Sequence, residues 1–195
     1  PYTLDLSFFE ELIVPKLGAL GCTNIVVLTD PHGYRETIAR QGRNIQGAGQ
    51  RYVCQPIRKS LVRGVQHIKA ILLVGPADGT LFLGSGNLTI HGIGRNLEHF
   101  TVFEMPGEEG ELSPEEARYP FVELWQLIGR LRRTGQFSGA AQDRLDTIAQ
   151  LAPWLTEAAR APTGVRIWHS LEEQLLDRFR SLGPVDELHI IAPFF

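Results

Sequence analysis

The chain has 195 residues, 43% of them hydrophobic and 21% charged, with a net charge of −3 and a pI near 6.1. That length suits one domain with a substantial core, and no apolar run reaches the roughly 18 to 20 residues of a membrane-crossing helix, so a soluble protein is expected. The charge balance lacks the basic surplus that nucleic-acid-binding domains often carry, although Arg58, Lys59 and Arg63, or Arg130, Arg132 and Arg133, offer local basic clusters that equally suit a solvated surface.

In chain order, Ser7 and Glu10 have the Ser-x-x-Glu spacing of a capping box and predict a helix over residues 8–20. Val- and Ile-rich runs predict strands at 24–29 and 51–56, separated by a helix at 34–41 and a Gly-rich breaker at 42–49. Further strands are predicted at 65–74, 80–83 and 97–103, followed by an acidic loop at 104–116. Ser113 and Glu116 form a second capping box, with Pro114 at the first position of a helix over 114–133. A helix over 140–161 is interrupted near Pro153, and residues 159–164 break it. A third box, Ser170 and Glu173, opens a helix over 171–182, and a last strand is expected at 188–192. Alternating elements of this kind predict an α/β fold, a mixed β-sheet flanked by helices.

Cys22 and Cys54 are the two cysteines; they make no disulfide framework and no CxxC pair, which suits a reducing cytoplasm. The chain starts at Pro1 without a signal peptide or lipidation motif and ends at Phe195 on a strand-like run. Both ends lead us to expect an excised piece of a longer protein or a partner chain over the end.

The segment from His67 to Thr89 concentrates polar chemistry on a predicted hairpin. Residues two apart share a strand face, so His67 and Lys69 would lie with Ile71 and Leu73. A two-residue loop at Asp78-Gly79 would set Lys69 opposite Leu88. A three-residue loop at Ala77-Asp78-Gly79, with Gly79 at positive φ, would set it opposite Asn87 and put Ser85 opposite Ile71. The second register gathers an imidazole, an ammonium, a hydroxyl and an amide at one end of the hairpin. Such a set suits a phosphodiester: Lys69 for the non-bridging oxygens, Asn87 and Ser85 as donors, Gly84 and Gly86 for close backbone approach, and His67 to attack phosphorus or move a proton. An isolated His-x-Lys is also compatible with a snorkelling lysine and a simple turn. There is no HExxH, DxD or paired His/Asp cluster near the hairpin, so neither metal nor other cofactor is expected.

The pattern His67-x-Lys69, an apolar strand, a turn and Gly84-Ser85-x-Asn87, with Asn96-x-Glu98 downstream, resembles the HKD motif of the phospholipase D superfamily. The resemblance covers residues 65–98 most strongly and implies a phospholipase D-like lobe over 1–183, with 184–195 starting a second, truncated lobe. It implies that two HKD motifs meet across a two-fold or pseudo-two-fold axis, in one full-length chain or in a homodimer. One histidine then attacks the phosphodiester to form a phosphohistidine, the other protonates the leaving oxygen, and no metal takes part. On that pattern His67 is nucleophile or general acid, Lys69 and Asn87 bind phosphate, Ser85 assists, and Glu98 orients a histidine. The superfamily's aspartate, five residues beyond the lysine, falls at Val74, with Asp78 four positions later, and no second HxK followed by GSxN occurs in the chain.

Among the other histidines, His91 beside Gly92 and His32 beside Gly33 suit loops at a site mouth, and His91 is close to Asn87 in sequence; His99 and His169 suit structural roles. Arg95, next to Asn96, is placed to reach a phosphate. Tyr119, Phe121 and Trp125 read as core rather than as a base-stacking platform. The expected activity is metal-independent phosphodiester hydrolysis on DNA or RNA. The alternatives are a phospholipase or phosphatidyltransferase acting on lipid, and a catalytically incomplete binding or scaffold module.

Overall fold

A computed structural model describes residues 2–57, 67–106, 112–134, 136–171, 173–181 and 183–184. It has mixed α/β content, and among the described residues the strands form two small sheets, one parallel and one antiparallel, rather than one mixed sheet.

The chain opens on a helical stretch in three parts: α1 (Leu6–Phe8), a π-helical turn (Phe9–Ile13) and α2 (Val14–Ala19). Pro15 accounts for the wide turn. It has no N–H for the carbonyl of Glu11, and its ring crowds that carbonyl, so Val14 donates to Phe9 instead and the ladder is reset. The predicted Ser7/Glu10 capping box does not form. Asp5 caps α1, its carboxylate accepting the Phe8 N–H at 3.0 Å. Glu10 turns to the Gly-rich segment, accepting from Gly47 N–H at 2.7 Å, Gln46 N–H at 3.1 Å and the Tyr52 hydroxyl at 2.7 Å.

Strand β1 (Val26–Thr29), helix α3 (Pro31–Gln41) and strand β2 (Val53–Pro56) make a parallel unit with Val26 opposite Val53. Helix α3 starts earlier than predicted because Asp30 accepts the His32 and Gly33 N–H groups and Pro31 takes the first helical position. This sheet is covered on both faces, which is why its strands are largely apolar and why their polar members, Thr29 and Gln55, are themselves buried. Val26, Leu28 and Val53 face Leu127, Leu131 and Leu145; Val27 and Tyr52 face Leu6, Phe9 and Val14.

Strands β3 (Ala70–Val74), β4 (Gly79–Gly84) and β5 (Phe100–Met105) form the antiparallel sheet, with α4 (Ile90–Gly94) between β4 and β5. Its inner face, including Leu72, Leu81 and Phe103, packs on Phe121, Trp154 and Leu155. The other face carries Ile71, Phe82 and Val102, and Val102 is 49% exposed. Helix α5 (Pro114–Thr134) serves both sheets, Phe121 reaching the antiparallel one and Leu127 and Leu131 the parallel one.

The Ser113/Glu116 box does form: the Glu116 carboxylate accepts from Ser113 N–H at 3.0 Å, and Ser113 Oγ accepts the Glu116 N–H at 3.3 Å. Helix α6 (Gly139–Leu151), capped by Ser138, gives way to a 3-10 turn (Pro153–Thr156). The backbone leaves the helical region at Ala152 (φ −122°, ψ 68°), ahead of Pro153, and the helix stops well short of residue 161. Helix α7 (Leu175–Ser181) begins beyond the Ser170/Glu173 pair, and Glu173 forms an ion pair with Arg178 at 2.7 Å rather than closing a box. The predicted strand at 188–192, residues 65–66 of the predicted strand 65–74, and nearly all of the expected second-lobe start lie outside the described residues. Among the described residues no helix is long and apolar enough to cross a membrane.

Candidate active site

The β3–β4 hairpin has neither of the two predicted registers. Val74 pairs with Gly79 and Ala70 with Leu83, and the Gly84 N–H donates to the Lys69 carbonyl at 3.1 Å. Lys69 therefore stands opposite Gly84, and Ile71 opposite Phe82 rather than Ser85. The turn spans Gly75 to Asp78, closed by the Gly75 N–H on the Asp78 carbonyl at 2.9 Å. Contacts from outside the hairpin account for it. Trp154 Nε1 donates to the Gly75 carbonyl at 3.0 Å. A Cβ on Gly79 would stand 3.0 Å from both Phe121 and Trp154. Gly79 thus opens β4 beneath the indole, and it is not among the glycines with positive φ.

Gly84 and Gly86 are glycines for a packing reason. A Cβ on Gly84 would lie 2.2 Å from the His99 carbonyl oxygen and one on Gly86 2.2 Å from that of Gly92, with the Phe100 ring against both positions. Gly92 in α4 is as constrained, since its Cβ would meet the Asn87 backbone oxygen at 2.4 Å. The Gly84 N–H is held by Lys69, so at this position backbone approach to a ligand does not explain the glycine.

At the same end of the sheet the polar groups converge. Ser85 Oγ donates to Glu98 Oε2 at 2.5 Å and accepts the His99 N–H at 3.1 Å. Asn96 Nδ2 donates to the other Glu98 oxygen at 3.4 Å. Lys69 Nζ lies 3.1 Å from both ring nitrogens of His67 and donates to the His67 carbonyl at 3.0 Å. Being equidistant from the two nitrogens, the ammonium rests against the imidazole rather than in line with one lone pair. Burial, and then the Lys69 charge, push His67 below its ordinary value. Burial also lowers Lys69, and the Glu98 charge opposes that shift. At neutral pH the site therefore presents a neutral imidazole, the form that can act as a nucleophile.

Asn87 is tied to this cluster through the first described residues. Its Oδ1 accepts the Thr3 N–H at 3.4 Å, while the neighbouring Tyr2 ring lies 5.6 Å from the His67 ring, tilted by 56°. Leu4 bridges to Leu88, and the Asp5 N–H donates to the Leu88 carbonyl at 2.9 Å. Tyr2, Thr3 and Gly92 are the neighbours that sequence reasoning missed. Tyr2 and Thr3 lie far from the motif in sequence and carry no spacing signal; Gly92 in "TIHGIG" was visible only as a loop glycine.

The remaining candidates sit at the margin. His91 is exposed on α4, which Thr89 caps through the Gly92 N–H at 3.0 Å, and Arg95 is exposed at the helix end. His32 is exposed on α3, 3.9 Å from Glu36. His169 lies 3.3 Å from the Arg130 guanidinium, and its Nδ1 accepts the Leu171 N–H. Among the described residues no three His, Cys, Asp or Glu side chains are grouped to hold a metal ion. Comparison with models of known families, with curated proteins and with solved structures finds no match to the chain.

Proposed function

We propose that this chain is one catalytic lobe of a phospholipase D-like phosphodiesterase that cleaves DNA or RNA without a metal. The observation that carries the reading is the Lys69 ammonium held 3.1 Å from the His67 ring beside the Ser85–Glu98 pair. An imidazole kept neutral, a cation for non-bridging oxygens and a fixed carboxylate are the parts that attack on phosphorus requires.

In the proposed reaction a His67 ring nitrogen bonds to phosphorus and the bond from phosphorus to the leaving oxygen breaks. A second histidine gives that oxygen its proton. Water then attacks phosphorus, loses a proton to the second histidine and releases His67 with the phosphate product. The roles of the two histidines can be exchanged. In this reading Lys69 and the Asn87 amide hold the non-bridging oxygens, and His91 and Arg95 are outer contacts for the rest of the substrate. The second histidine comes from a second HKD-bearing lobe, in the same chain or in a homodimer partner.

Assays on single- and double-stranded DNA, RNA and phosphatidyl substrates, each with EDTA present, test the reading. Nucleic-acid cleavage that persists in EDTA supports it. Cleavage of lipid alone would move the substrate to the phospholipase or phosphatidyltransferase alternative. A folded protein with both HKD-bearing lobes assembled that binds phosphodiesters and cleaves none would make it a binding module.

A further inference from the structure

Two neighbouring residues touch two different parts of the candidate site, Tyr2 the His67 ring and Thr3 the Asn87 side chain. The strap they belong to is itself anchored. Thr37 Oγ1 in α3 donates to the Leu4 carbonyl at 2.8 Å. The Asp5 N–H reaches the Leu88 carbonyl at 2.9 Å, and Gln41 Nε2 donates to Asp5 Oδ1 at 3.0 Å. Gly33, also in α3, lies so close that a Cβ there would stand 2.0 Å from the Tyr2 carbonyl oxygen. The strap is clamped between α3 on one side and the chain around Asn87 and Leu88 on the other.

A carboxamide has a donor end and an acceptor end, whereas a phosphate oxygen only accepts. Asn87 can serve a phosphate only with Nδ2 turned toward it. The Thr3 N–H is a donor that cannot change its role, so it selects the orientation in which Oδ1 faces the strap and Nδ2 faces away. We infer that the strap of residues 2–5 is a positioning element of the phosphate site, with the Thr3 N–H holding the Asn87 carboxamide in its donor-outward orientation. The inference rests on the phosphodiesterase reading, because it takes a phosphate oxygen as the partner of Nδ2. Its physical content is preorganisation: an amide already turned the right way does not have to be ordered on binding.

The test is an NMR titration with inorganic phosphate that follows the Asn87 Nδ2 protons and the His67 ring protons. Thr3→Pro removes the N–H, Thr3→Ala keeps it, and Gly33→Ala displaces the strap from α3 without touching the site. Phosphate affinity should fall about three- to tenfold in Thr3→Pro and in Gly33→Ala and stay at the wild-type value in Thr3→Ala. The Asn87 Nδ2 protons should shift in the first two variants before any phosphate is added. If Thr3→Pro does not fold, Gly33→Ala and Thr3→Ala carry the comparison. A folded Thr3→Pro or Gly33→Ala with wild-type affinity and unmoved Asn87 resonances would overturn the inference while leaving the site intact. A wild-type protein in which neither Asn87 nor His67 responds to phosphate would instead remove the phosphodiesterase reading, and this inference with it.

Discussion

Ser85 and Glu98 are joined by a 2.5 Å hydrogen bond from the hydroxyl to the carboxylate, tying the end of β4 to the approach to β5. The His99 N–H on Ser85 Oγ and the Asn96 amide on the second Glu98 oxygen hold that link in place. The consequence is a carboxylate of defined position whose charge raises Lys69 against the lowering effect of burial.

Glu98→Gln removes that charge and keeps the shape. The Lys69 ammonium should then titrate lower than in the wild type, which NMR of the lysine Nζ measures directly. Turnover should fall by about 10- to 100-fold, the range typical of groups that act through a reacting neighbour. An unmoved or raised Lys69 midpoint would contradict the arrangement.

The His67–Lys69 contact has its own signature. Burial and the Lys69 cation disfavour the imidazolium, so the His67 midpoint should lie below 6.5. Lys69→Met removes the cationic part, and the midpoint should rise toward the ordinary value in an NMR pH titration. A midpoint unchanged or lowered by Lys69→Met would place the ammonium elsewhere in solution.

Gly84→Ala and Gly86→Ala put a methyl group within 2.2 Å of a backbone carbonyl oxygen, that of His99 or Gly92. Each should cost about 1–3 kcal/mol in urea denaturation, the usual range for overpacking. Trimming Phe100 to alanine should not restore either variant, because the nearest obstacle is backbone and not the ring. Full rescue by the trimmed ring would show that the carbonyl contacts yield easily.

Glu10 supports the other sheet. Burial alone would raise its pKa, but the Tyr52 hydroxyl and the backbone N–H groups of Gln46 and Gly47 hold it below 4.5. Because the folded value is depressed, its stabilisation is fully present above the unfolded value and is lost as pH falls through the folded one. Glu10→Ala should cost about 1–3 kcal/mol near neutral pH. That difference from the wild type should shrink below pH 4.5. A difference that does not depend on pH would mean that shape rather than charge matters at this position.

What was legible in the sequence divides along local and distant contacts. Ser113/Glu116 capped α5 as predicted because both partners lie within one turn. Ser7/Glu10 has the same spacing, yet its glutamate is taken by Gly47 and Tyr52, far along the chain, and Asp5 caps instead. The β3–β4 pairing was legible from apolar runs around a turn, but its register was not, because Trp154 holds the Gly75 carbonyl from a helical turn that no hairpin rule contains. The candidate site follows the same division. His67, Lys69, Ser85, Asn87 and Glu98 stand out by type and spacing, whereas the Thr3 contact to Asn87 bridges 84 positions and leaves no local pattern.

The central claim is that His67 carries the chemistry, and the measurement that bears on it most directly is turnover of a phosphodiester, in EDTA, by the folded His67→Ala variant of the protein with both lobes assembled, beside the wild type. The side chain is only partly shielded and belongs to no core cluster, so folding should be preserved, as circular dichroism would show. Turnover should drop by at least about 10²–10⁴-fold, the span expected when a proton-transfer or nucleophilic group is lost. A folded His67→Ala protein that cleaves the phosphodiester at the wild-type rate would contradict the account.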